Sequence, residues 1–196
     1  MKKIVSKNQL EKKNQRNQII IGLILIGLML LSTAGYALTS NENENTTDEK
    51  VTYNNIQFIR SLDYWKFNAR GYEFYTKYNP VELNYTEVII TNDLEGYKGQ
   101  TLYISSGNGE PNSELIRNID NRILLRAQKA CLNNENCTNL NLPIKDCNND
   151  NLVVFKEPKQ NEKERVYQDN KCIIIVSSQE NQTAYTDAFL FKLLNI

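Results

Sequence analysis

Apolar and polar positions alternate along this chain in blocks, and each block predicts a different element. Ile19 to Leu38 (IIIGLILIGLMLLSTAGYAL) holds about 20 residues without a charge, the length a helix needs to cross a bilayer core of about 30 Å. Residues 39–52 (LTSNENENTTDEKV) are almost devoid of apolar positions and have no period, so they read as a polar linker. From Tyr53 the pattern becomes strand-like. Ile56, Phe58, Arg60 and Leu62 alternate, then Trp65, Phe67 and Ala69, then Tyr72, Phe74 and Thr76, with turns at Leu62-Asp63 and Arg70-Gly71. Such runs predict an antiparallel meander, which Asn79-Pro80 ends because proline cannot donate to a sheet.

The remainder mixes both periods. Val88-Ile89-Ile90 fits a short strand or one helical turn, and Leu102 and Ile104 mark a strand over Thr101 to Ser105. Ile116, Ile119, Ile123, Ala127 and Ala130 recur at helical spacing. They predict a helix from a cap at Asn112 or Ser113 to Cys131, with Glu114 near its start and Arg126 and Lys129 near its end to complement the dipole. A polar loop follows over 132–151. Leu152 to Phe155 reads as a central strand, Lys156 to Arg165 as a charged loop, and Val166 to Ser177 as one further strand. Thr183 can cap a last helix whose face comprises Tyr185, Phe189, Leu190, Leu193 and Leu194. The fold expected is α+β: a mainly antiparallel sheet with two helices packed on one face, preceded by a single N-terminal transmembrane helix. The domains are a basic cytoplasmic tail (1–18), a signal anchor (19–38), the linker (39–52) and an extracytoplasmic domain (53–196).

Charge sets the expected orientation. Residues 1–18 carry six basic residues and only Glu11, while Glu42, Glu44, Asp48 and Glu49 open the far side. The positive flank predicts a cytoplasmic N-terminus and an extracytoplasmic C-terminal domain, with the membrane as first partner through Ile19 to Leu38. Cleavage after Ala37, or a pilin-type signal at Arg16-Asn17-Gln18, are the alternatives. The net charge is zero, so the part beyond residue 18 is acidic and nucleic acid is not an expected partner.

Cys131, Cys137, Cys147 and Cys172 all follow the apolar stretch. Their even number, with no CxxC and no histidine, reads as two disulfides in an oxidising compartment. Three connectivities are open, and Cys131–Cys137 with Cys147–Cys172 is favoured. The run Tyr53-Asn54-Asn55-Ile56-Gln57-Phe58, together with Gly71-Tyr72-Glu73-Phe74, Leu142-Pro143-Ile144-Lys145-Asp146-Cys147 and Asp187-Ala188-Phe189-Leu190-Phe191, resembles uncharacterised single-anchor envelope proteins of small-genome archaea. That resemblance implies an envelope location and a disulfide-bearing domain. It implies no activity.

Candidate chemistry is sparse. Asp146, Asn148, Asp150 and Glu157 have the spacing of calcium-loop positions 1, 3, 5 and 12, although Asn151 stands where glycine is expected and no helix pair frames the loop. A plain Asx-type turn is the alternative reading. Ser105-Ser106-Gly107-Asn108-Gly109 lacks the Lys-Ser/Thr of a nucleotide loop, so it reads as loop and cap. Eight of the eleven tyrosines and Trp65 fall within 53–103, and Trp65, Tyr72 and Tyr75 could form a stacking face for sugars or could fill a sheet core. Without histidine, Ser-His-Asp, Cys-His and HExxH chemistry is absent; Glu73, Glu82 and Glu87 remain as carboxylates for a hydrolase. Asn45, Asn84, Asn136 and Asn181 lie in N-x-T sequons, but asparagine is about one residue in seven, so such matches arise by chance. The expected function is therefore a non-catalytic, membrane-anchored envelope interaction or structural module bound to an envelope protein. The alternative is a surface-tethered ligand or glycan binder, or a hydrolase.

Overall fold

The computed structural model describes residues 16–31, 49–105, 109–120, 122–133, 137 and 141–196. Contacts divide the chain into two units, Met1–Thr47 and Asp48–Ile196. In the first, residues 16–31 form helix α1, whose isoleucines and leucines are exposed. Among the described residues no helix is long and apolar enough to cross a membrane, so the transmembrane helix expected over Ile19 to Leu38 is corrected. The Ala37 cleavage position and Asn45 lie outside the described residues.

The second unit opens with the meander: β1 (Lys50–Tyr53), β2 (Ile56–Ser61), β3 (Tyr64–Ala69) and β4 (Tyr72–Thr76), each antiparallel to the next. It begins within the stretch read as linker. Asn54-Asn55 and Arg70-Gly71 both hold positive φ at two successive positions, the backbone that two-residue hairpins demand. Alternation turns Phe58, Trp65, Phe67 and Phe74 to one side, where all are buried.

Next come β5 (Val88–Ile89), α2 (Leu94–Tyr97), β6 (Thr101–Ser105), α3 (Glu110–Ile119), β7 (Arg126–Lys129), β8 (Cys131–Leu132), β9 (Ile144–Lys145), β10 (Leu152–Lys156), β11 (Arg165–Asp169), β12 (Cys172–Val176) and α4 (Gln182–Leu194). Six of these strands form a mixed sheet in the order β5-β11-β12-β10-β6-β7. Within it β10 runs parallel to both β6 and β12, and only the β11–β12 pair is antiparallel. The α+β class holds, but a mainly antiparallel sheet does not describe it. Both faces of β10 and β12 are buried, which explains their unbroken runs LVVF and CIIIV. Val153, Phe155, Ile173 and Ile175 join the main core with the helices, while Leu152, Val154, Ile174 and Val176 form a second core under Tyr103, Leu132 and Cys147.

Helix α4 lies between the two sheets. All its residues except Gln182 and Lys192 are buried. Phe191 meets Phe58 and Phe67 of the meander at 5.8 and 5.6 Å between ring centroids, and the helix also touches β5, β11 and β12. The helices are thus enclosed between two sheets, where one sheet face was expected.

Two element boundaries also differ. Helix α3 ends at Ile119 because Asp120 turns extended (ψ 140°) and its Oδ1 accepts from the Ala127 N–H at 2.6 Å, starting β7 beside β6. Arg126 and Lys129 therefore sit on a strand. Its N-cap is Gly109 at φ 77°, ahead of the expected cap. Val166 to Ser177 is a hairpin, folded at Asn170 (φ 52°).

One face of α3 closes the open edge of β4. Glu114 Oε1 accepts from Lys77 N–H at 2.9 Å, Asn118 exchanges bonds with both the N–H and C=O of Tyr75 at 2.8 and 2.7 Å, and Arg122, just beyond the helix, donates to the Glu73 carbonyl at 2.6 Å. Four helical residues rise about 6 Å and two strand residues about 6.8 Å, so side chains at i, i+4 and i+8 match alternate strand residues. Asn118→Ala leaves both Tyr75 groups unpaired and costs about 2–3 kcal/mol. Urea denaturation checks this, and at neutral pH Asn118→Asp, which keeps an acceptor for Tyr75 N–H but sets a carboxylate oxygen against the Tyr75 and Glu114 carbonyls, should cost at least as much.

Candidate functional site

The parallel strands β6, β10 and β12 end at one rim of the six-stranded sheet. There β6 leads into α3 and β12 into α4, so the first turns of two helices wall a cleft of about 650 Å³. Ligands of parallel sheets gather at such carboxyl ends. Phe155 and Pro111 supply apolar wall; Glu110, Glu157 and Glu180 supply carboxylates; Gln179, Gln182 and Thr183 supply amides and a hydroxyl. Gln179 donates to Glu157 at 2.9 Å, and Glu110 sits 3.8 Å from the Lys77 ammonium.

Glu164 at the start of the hairpin fixes this rim. Its two oxygens accept from Ser178 N–H at 2.7 Å and the Asn181 amide at 2.8 Å. Burial raises the Glu164 carboxyl, but the bonds from Ser178 and Asn181 outweigh it and hold it below the usual 4.5. Asn181, the N-cap of α4, consequently makes no side-chain capping bond, and the helix opens toward the cleft uncapped.

One turn further along each helix lie Glu114 and Asp187, both 0% exposed. Asp187 Oδ2 accepts from Tyr78 N–H at 3.0 Å, the residue next to the Lys77 amide held by Glu114. Asp187 Oδ1 has no hydrogen-bond partner among the described residues, and the Asp187 carboxyl lies close enough to that of Glu114 for each to influence the other's protonation. Burial is the main cause that raises both acids, followed for Asp187 by the neighbouring Glu114 charge; Arg117, bonded to Glu114, opposes it on that side. The pair is sealed from solvent and committed to the chain leaving β4. It clips the meander to both helices.

The expected site residues do not converge. Asp146 Oδ1 accepts from Asn148 and Asn149 N–H at 2.9 and 3.1 Å, and Asp150 takes the Lys145 ammonium at 2.9 Å. That is an Asx turn, with the Asp146 carboxyl held low by the Asn149 side chain first and the Asn148 amide second. Strand β10, about 16 Å long at about 3.3 Å per residue, separates this turn from Glu157, so the spacing of a calcium loop does not become its geometry. Among the described residues no group of three His, Cys, Asp or Glu could share a metal ion.

Trp65 is 1% exposed and belongs to the core, with Arg60 stacked 5.2 Å over its ring. Tyr72 shares the inward side, whereas Tyr75 lies on the opposite face beside Lys66. The three therefore form no common face. Glu73 pairs with Lys66 at 2.6 Å and Glu82 accepts from Asn79 N–H at 2.7 Å, so the hydrolase carboxylates are dispersed too.

The disulfides are Cys131–Cys137 and Cys147–Cys172, with Cα separations of 6.1 and 4.9 Å. They mark an oxidising compartment. Sequence reading named Glu157 and Thr183 in other roles and missed the cleft and the acid pair. Asp187 did carry a signal, as the one charge in the run TAYTDAFLF, whereas Glu114 resembled an ordinary first-turn acid. No family model, no curated protein and no solved structure matches this chain.

Proposed function

We propose that Asp48–Ile196 is a non-catalytic recognition domain of an oxidising compartment, and that its cleft receives a lysine or arginine side chain of a partner protein. The observation that carries this reading is the cleft at the carboxyl ends of β6, β10 and β12, where three carboxylates stand around Phe155 and Pro111. An aliphatic stem packs on the apolar wall while its charged head meets Glu110, Glu157 and Glu180. The non-catalytic reading is supported by the two fully buried acids, Glu114 and Asp187, being enclosed and used by the protein's own backbone.

Tetralysine should raise the melting temperature of the full-length chain, since a ligand of the native state stabilises it by mass action. Salt should weaken the effect, and a Glu157→Gln/Glu180→Gln variant should lose most of it. An unchanged melting temperature, or an equal shift in the variant, would refute the assignment. A shift with a neutral trisaccharide and none with tetralysine would make the cleft a sugar site.

A further inference from the structure

The sequence offers four N-x-T sequons, two of which, Asn84 and Asn181, fall on described residues. Their surroundings are opposite. Asn181 is half-buried at the start of α4, and its amide nitrogen is 2.8 Å from Glu164. A sugar on that nitrogen would replace one of its two hydrogens beside a bond that fixes the β12–α4 connection, and would have to leave through the packed rim. Asn84 is exposed in the turn over 80–85, and its side chain has no hydrogen-bond partner among the described residues. Thr86, the hydroxyl residue of the sequon, is held in place by donation to the Leu83 carbonyl at 2.7 Å.

In the same turn as Asn84, Tyr85 is 63% exposed and Val81 49%. Asn84 itself lines a groove of about 240 Å³ together with Tyr53, Pro80, Leu83, Val88 and Phe191. That is below the roughly 300–1,000 Å³ of a site for a drug-sized ligand, and suits a single ring. Tyr85 and Val81 thus expose aromatic and aliphatic surface in the turn that supplies Pro80, Leu83 and Asn84 to the groove. The apolar face of a pyranose is a suitable cover for them, because tyrosine offers a flat ring with a polar tip.

We propose that Asn84 is an N-glycosylation site and that the first sugar attached to it lies over the groove beside Tyr85 and Tyr53. The donor is a saccharide carried on a lipid phosphate. Asn84 Nδ2 forms a bond to C1 of the sugar as the C1–O bond to phosphate breaks; the lipid phosphate leaves with the bonding pair, and the amide gives up one proton to the transferase. Such transfer occurs on chains delivered to the kind of compartment that the two disulfides mark. The attached glycan covers the exposed apolar rim and leaves the cleft at the carboxyl ends of the strands open.

The test is peptide mass spectrometry of the full-length protein from its natural host. The peptide containing Asn84 should carry a saccharide mass and the one containing Asn181 none. Asn84→Gln should remove the modification, Thr86→Ser should keep it, and Asn181→Gln should leave it unchanged. Enzymatic removal of the glycan should also increase binding of an apolar dye, and Tyr85→Ser should suppress that increase. A bare Asn84 peptide overturns the proposal, as does a saccharide on Asn181 with Asn84 unmodified. If the sugar is present but its removal leaves dye binding unchanged, its placement over the groove is overturned.

Discussion

The domain should lose stability as the pH rises above about 4, and Asp187→Asn should abolish that loss. Asp187 and Glu114 have folded-state affinities for protons above their usual values of 3.8 and 4.5, chiefly because both are buried; the Glu114 charge raises Asp187 further, whereas Arg117 and Asp187 pull Glu114 the other way. An acid raised on folding binds more protons in the native than in the unfolded chain. Its contribution is therefore complete below the unfolded pKa and disappears as the pH rises through the folded one. While one proton separates the two states, the folding constant falls about tenfold per pH unit. The surroundings sharpen the contrast. Arg117 compensates Glu114, Lys77 is drawn off by Glu110, and the two backbone amides each have an acceptor already.

Asparagine at 187 can accept from Tyr78 N–H with its oxygen and donate to Glu114 with its amide, reproducing the protonated acid without a titration. Asp187→Asn should thus be more stable than the natural chain at neutral pH and equal to it near pH 4. Asp187→Ala leaves Tyr78 N–H unpaired and a gap between the helices, costing about 2–4 kcal/mol. Urea denaturation from pH 4 to 9 separates these outcomes. A natural protein whose stability is flat or rising over that range would disprove the raised acid pair. Further acidification works the other way, because Glu164 is held below its usual value and its bonds to Ser178 and Asn181 are lost as the pH falls.

Removing the Cys147–Cys172 bridge should destabilise the domain more than removing Cys131–Cys137. The first closes 25 residues and the second 6, which in a chain-entropy treatment correspond to about 3.5 and about 2 kcal/mol. Position in the fold widens the gap. Cys172 is fully buried at the start of β12, within the second core, and Lys171 N–H bonds the Cys147 carbonyl at 2.8 Å, so this bridge holds the Asx-turn loop onto the central strand. The Cys147→Ala/Cys172→Ala variant should show a large fall in denaturation midpoint, and Cys131→Ala/Cys137→Ala a smaller one. The reverse order would mean that the 131–137 loop carries structure beyond its own closure.

Much of the meander could be read from local signals. Trp65, Phe67 and Phe74 sit at strand spacing, and Arg70-Gly71 and Asn54-Asn55 suit hairpin backbones. The same signals misled at α3, where Ile123, Ala127 and Ala130 continue a helical period that the fold does not use. A bond from Ala127 to Asp120 and pairing with β6 outweigh a periodicity worth little on its own. Trp65 illustrates a related limit: strand propensity suits a core and an exposed stacking face equally, and only the packing of α4 against the meander shows which side is covered.

The sequence by itself determined what depends on neighbours a few residues apart: the hairpin turns, the buried central strands, the last helix, and an even set of cysteines suited to two bridges. The tertiary structure alone decided what depends on groups far apart in the chain. It made the larger sheet mostly parallel, placed α4 between two sheets, and opened the cleft where three strands finish. It also brought Glu114 and Asp187 together across 73 residues of chain. The physical reason is that turns and periodicity report the backbone's local preferences, whereas a buried acid pair or a sheet's direction depends on desolvation and pairing that exist only once distant segments have met.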